Sequence, residues 1–139
     1  MKKTFIITLI GVFMAVLSTG YSLASNGATY VLEGNTHGLK YATGGVGFGE
    51  RARLQTMAKD YNLRLIFAEN TGAYLANINV KIQDNKGKNL MDTTANGPWF
   101  FVKVPQGQYT VIVSHLGKKE TKKVAVRNGS RVITFHWKA

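Results

Sequence analysis

The chain has 139 residues, with 18 Lys and Arg against 7 Asp and Glu, a formal net charge of +11, and no cysteine. The missing cysteines exclude disulfide staples, thiol catalysis and a lipid-modified N-terminal cysteine. The charge speaks to solubility and to attraction toward anionic surfaces, and it leaves the fold open.

The first element is a leader pattern. Lys2 and Lys3 are followed by an uncharged, greasy run from Thr4 to Leu17, and Ser22-Leu23-Ala24 then places small residues where a signal peptidase reads. Residues 1–24 are therefore expected to be a signal peptide cut between Ala24 and Ser25. A membrane-spanning helix wants about 20 apolar residues, and this run is shorter and ends in Ser18-Thr19-Gly20. No stable membrane span is expected after cleavage. The remainder is one domain's worth of chain, long enough to bury a core without covalent help. A periplasmic or secreted location demotes nucleic acid as a partner. It leaves lipid head groups, lipopolysaccharide phosphates and acidic glycans as the available anions.

Ser25 to Gly49 is rich in Gly, Thr and Asn and carries one strand candidate, Thr29 to Leu32. The Gly44-Gly45-Val46-Gly47-Phe48-Gly49 loop precedes a helix, a context in which backbone N–H groups attract anions. Its spacing departs from the dinucleotide fingerprint, and Glu50 sits where the anion would go. The loop reads as a connector, and no cofactor is expected. Leu54, Met57, Ala58 and Tyr61 then recur at helical spacing, predicting a helix over 50–61. Leu63 to Ala68 reads as a strand, and residues 25–68 form a loop-helix-strand extension.

From residue 69 onward, turn chemistry punctuates six short strands. Ile78, Val80 and Ile82 alternate with Asn79 and Lys81, the period-2 pattern of a half-buried strand starting near Leu75. Asn89 to Thr93, Trp99 to Val104, Gln108 to His115, Glu120 to Arg127 and Arg131 to Trp137 follow. The turns between them centre on Asp84-Asn85-Lys86-Gly87, Asn96-Gly97-Pro98, Pro105-Gln106-Gly107 and Gly117-Lys118. Asn128-Gly129 is the strongest hairpin signal. With no helix among these strands, an antiparallel sandwich or barrel is expected over 69–139.

The residues Asn77-Ile78-Asn79-Val80-Lys81-Ile82, the Asp84–Gly87 and Thr93–Gly97 turns, and above all Val104-Pro105-Gln106-Gly107-Gln108-Tyr109-Thr110-Val111 carry a resemblance. The chain over 78–117 resembles the carboxypeptidase regulatory-like family of transthyretin-like (prealbumin-like) β-sandwich domains, bacterial envelope type. Gly97-Pro98-Trp99-Phe100 departs from it, since the family more often passes from glycine directly to an aromatic. The resemblance implies a mainly β fold, with binding or scaffolding as the role and no catalytic residues to carry over.

Three histidines, His37, His115 and His136, are too few and too scattered to predict a metal site. Ser114 and His115 are strand neighbours pointing to opposite faces, and the seven acids form no evident pair. No catalytic, cofactor-binding or metal residue is expected. The function expected is a non-catalytic exported binding or scaffolding domain of the bacterial envelope, with an envelope protein or an anionic glycan or lipid surface as partner. The alternatives are polyanion binding through the basic hairpin residues Lys118, Lys119, Lys122 and Lys123, or a small carbohydrate-active hydrolase. Lysines at such a position also serve to blunt a sheet edge. Trp99, Phe100 and Phe101 are the candidate recognition surface, on the condition that their side chains are exposed.

Overall fold

The computed structural model describes residues 31–138, so the expected leader and its cleavage site lie outside the described residues. Hydrophobic alternation builds strands along the chain: β1 (Leu32–Thr36), β2 (Leu39–Gly44), β3 (Leu63–Glu69), β4 (Ile78–Asp84), β5 (Asn89–Ala95), β6 (Trp99–Val102), β7 (Gly107–His115), β8 (Lys118–Val126) and β9 (Arg131–Trp137). Helix α1 (Phe48–Met57) lies between β2 and β3 and ends in a 3₁₀ turn, Ala58–Asp60.

The strands form two sheets, with orders β1-β2-β6-β3-β9 and β5-β4-β7-β8. Leu63, Leu65, Phe67, Phe100, Val102 and Phe135 of the five-stranded sheet meet Ile78, Val80, Ile82, Met91, Val111 and Val113 of the four-stranded sheet in one core. Fully burying a side chain of this size contributes roughly 1.5–3 kcal/mol. A mainly β, two-sheet sandwich with one short helix is thus the architecture. Helix α1 covers the other face of the five-stranded sheet. There Leu54 and Tyr61 pack with Ala42 and Phe101, with Met57, Ala58 and Trp99 at the margin.

Several expectations change. Within the described residues 31–68, β1, β2 and β3 share a sheet with β6 and β9 of the later segment. The sheet is not wholly antiparallel, because β3 and β9 pair in parallel from Leu63↔Arg131 to Glu69↔Trp137. Asn128-Gly129 joins strands that belong to different sheets, so it closes no hairpin. A type I′ turn needs left-handed backbone at both central residues. Here Gly129 has φ 88 while Asn128 is absent from the left-handed region. The two-residue turns of that type are His37-Gly38 (φ 50 and 78) and Leu116-Gly117 (φ 49 and 77). Strand β4 begins at Ile78 because Asn77, at φ 58, breaks the extended run from Leu75. At the other end of the β4–β5 ladder a register shift beside Ile82 lets both Leu90 and Met91 pack on the core.

Candidate functional site

The strand registers place four connections at the same end of the molecule: the His37-Gly38 turn, the approach to β3, the β6–β7 loop and the β8–β9 loop. Asn62, just before β3, ties them together. Its Nδ2 donates to the Val104 carbonyl at 2.6 Å, and its Oδ1 accepts from the Val104 N–H at 2.8 Å. Its own carbonyl accepts from the Arg131 N–H at 2.9 Å, and the Lys103 N–H donates to Lys40 O at 2.9 Å. Gln106 Nε2 donates to Asn128 Oδ1 at 2.7 Å, joining the tips of the two loops.

Between these braced segments lies an open cleft of about 350 Å³, whose charged lining is Lys59, Asp60, Arg64, Lys103 and Arg127. Four cations therefore face one carboxylate. Among the described residues the ion pairs are Arg53–Glu33 and Lys81–Asp92, and neither includes a cleft cation. Lys59, Lys103 and Arg127 are exposed. Arg64 is half-buried and held: its guanidinium carbon lies 5.6 Å from the centre of the Phe101 ring, and Nη2 donates to the Ala58 carbonyl at 3.1 Å. Its Nε–H is buried without an acceptor. Tyr61 also lines the cleft; burial first, then the Glu33 and Asp60 carboxylates, raise its phenol above the ordinary 10.0. It therefore stays neutral at physiological pH.

Sequence reasoning missed this constellation, since its cations lie in a 3₁₀ turn, a strand and two separate loops. The one local signal was Arg64 within the apolar run 63–68 of β3, where Leu63, Leu65 and Phe67 are buried and Arg64 turns toward the helix layer.

The basic strand is not one patch. Val124 and Val126 of β8 face the core, so by alternation Lys118 and Lys122 share their side while Lys119 and Lys123 project from the open face of the sheet. Lys122 Nζ donates to the Thr134 carbonyl at 2.7 Å and sits 5.0 Å above the Phe135 ring. Trp137 Nε1 donates to the Lys118 carbonyl at 3.2 Å. These two contacts staple the edges of the two sheets. Lys119 and Lys123 remain directed to solvent.

The aromatic strand meets the exposure condition poorly: Phe100 and Phe101 are buried and Trp99 is half-buried. Phe100 is wholly buried in the sandwich core and stacks on Tyr41, with ring centres 5.3 Å apart. Trp99 and Phe101 stack on each other at 5.9 Å on the opposite face, beneath the helix layer. Both faces of β6 are covered, which the strand pattern alone could not reveal.

At the glycine loop the helix N-terminus is occupied by the protein's own anion. Glu50 is buried and its Oε2 accepts from the Gly47 N–H at 3.1 Å, while Arg51 Nε donates to the Gly45 carbonyl at 2.8 Å. Among the described residues no three of His, Cys, Asp and Glu gather as metal ligands. Nor is any helix there long and apolar enough to cross a membrane. A second concavity, about 460 Å³, opens beside Gln83, Asp84, Thr110 and Lys123. Its single acid and single base give it no comparable charge. No family model matches the chain, and neither does any curated protein.

Proposed function

We propose that the chain is an exported, non-catalytic binding domain of the bacterial cell envelope, built on a transthyretin-like sandwich, whose partner is an anionic glycan or lipid surface. The observation that carries this reading is unneutralised basic charge. Beyond the leader-like residues the chain keeps 16 Lys and Arg against 7 Asp and Glu, and the two ion pairs among the described residues leave both Lys119 and Lys123 and the cleft cations outside any pair. Such a field draws polyanions and weakens with salt. The leader-like residues from Lys2 to Ala24 support the address. The transthyretin-like topology draws support from the Pro105-Gln106-Gly107 turn. It delivers Tyr109 inward, with its hydroxyl donating to the Pro105 carbonyl at 2.5 Å, followed by buried Val111.

The test is co-sedimentation of the purified full chain with vesicles of phosphatidylglycerol and of phosphatidylcholine, alongside an acidic glycan, over a salt series. Binding to the anionic targets that declines with salt is expected. Failure to bind either anionic target at low salt would overturn the reading.

A further inference from the structure

Like charges brought together repel, and proteins ordinarily intersperse them with acids or leave them on mobile side chains apart from one another. The cleft does neither. Lys59, Arg64, Lys103 and Arg127 converge on one concavity with Asp60 as the single carboxylate of the lining. The loops carrying Lys103 and Arg127 are braced by the paired Asn62–Val104 hydrogen bonds and by the Gln106–Asn128 bond. Bracing means that the ordering of these segments is met on folding and not on binding.

The donor chemistry is also specific. Arg64 lies over the Phe101 ring, and its buried Nε–H has no acceptor. An unsatisfied buried donor is costly until an acceptor arrives. Ser130 adds a hydroxyl 3.5 Å from Arg64 Nη2, at the rim. Several positive donors around one hollow match a compact, multiply charged oxyanion better than a single carboxylate. Arginine fits such oxyanions through its planar fork, and lysine serves them as a point charge.

We infer that this cleft binds a phosphate group, of the kind presented by a phosphorylated sugar or a lipid headgroup. The inference rests on the reading of the domain as a binder of anionic surfaces, and it moves the recognition site away from the basic strand β8 to the loop end of the sandwich. Lys59, Lys103 and Arg127 supply charge from exposed side chains, and Arg64 from a half-buried one held in place.

The experiment is an amide-shift NMR titration of the purified full chain with inorganic phosphate and with glycerol phosphate. A parallel titration uses vesicles containing phosphatidic acid in a phosphatidylcholine background. Two variants accompany it: Lys59→Gln/Lys103→Gln/Arg127→Gln in the cleft, and Lys119→Gln/Lys123→Gln on β8. All five side chains are exposed, so neither variant removes core packing. The expected result is saturable shifts confined to 59–64, 103–106 and 127–130. Affinity should fall by roughly tenfold or more in the cleft variant and clearly less in the β8 variant, which weakens only the long-range field. Vesicles moving the same amides would identify a lipid headgroup as the source, and soluble phosphates alone moving them a sugar phosphate or free phosphate; either supports the site. Vesicle binding with no saturable phosphate response, or equal losses in the two variants, overturns the cleft and leaves the broader reading standing. Absence of binding to every anionic probe overturns both.

Discussion

Asn62→Ala removes the clamp that holds the cleft's loops while deleting little apolar volume. Two hydrogen bonds to Val104 disappear, at 2.6 and 2.8 Å, and Val104 is 3% exposed, so water has poor access to its freed N–H and carbonyl. A typical intramolecular hydrogen bond contributes about 0.5–1.5 kcal/mol, and each buried group left unsatisfied costs about 1–3 kcal/mol. The backbone bond from Arg131 to the Asn62 carbonyl survives the substitution. A loss of about 2–4 kcal/mol is therefore expected, read by urea denaturation as a lower midpoint at unchanged slope. Asn62→Asp refines the test. It keeps the acceptor for the Val104 N–H but turns a carboxylate toward the Val104 carbonyl, so it should recover only part of the loss. A loss below about 0.5 kcal/mol for the alanine variant would refute the reasoning, because it would mean that solvent replaces the clamp at no cost.

Other substitutions probe separate parts of the fold. A Cβ at Gly97 would fall on the backbone carbonyl of Gly44, whereas one at Gly49, in the first turn of α1, would meet nothing. Thermal unfolding should therefore show Gly97→Ala destabilised by about 1–3 kcal/mol and Gly49→Ala stabilised by up to about 1 kcal/mol. Phe100→Ala should cost about 3–5 kcal/mol, as for a large aromatic lost from a packed core; a variant of unchanged stability that lost ligand binding would restore β6 as a recognition strand. Burial, and after it the Asp84 carboxylate, raise the Tyr109 phenol above 10.0. The fold thus prefers the neutral phenol, a contribution fully present below pH 10 and lost as pH rises through the raised value. Tyr109→Phe should flatten that alkaline loss while costing about 1 kcal/mol at neutral pH for the hydroxyl bond to Pro105, and a wild-type phenolate titration complete by pH 10 would contradict the raised value.

Much of the secondary structure was legible because burial on one face leaves alternation in the sequence. β4, β7 and β9 carry that pattern, and the Leu54, Met57, Ala58 and Tyr61 series marks the helix that seats Leu54 and Tyr61 against the sheet. β2 hid because Leu39, Ala42 and Thr43 are all buried, and a strand covered on both faces has no polar face to alternate with. The aromatic strand β6 was found, but its exposure was not readable for the same reason.

The sequence by itself determined the helix and the strands from β3 onward, since these depend on contacts between near neighbours and on the backbone freedom of single residues. Only the tertiary structure decided that β8 and β9 part into different sheets, that β3 joins β9 in parallel, and that Lys59, Arg64, Lys103 and Arg127 meet. Strand pairing depends on which faces bury together across the whole domain. A cleft between loops is set by the ends of strands far apart in the chain, and local pattern carries no record of that distance.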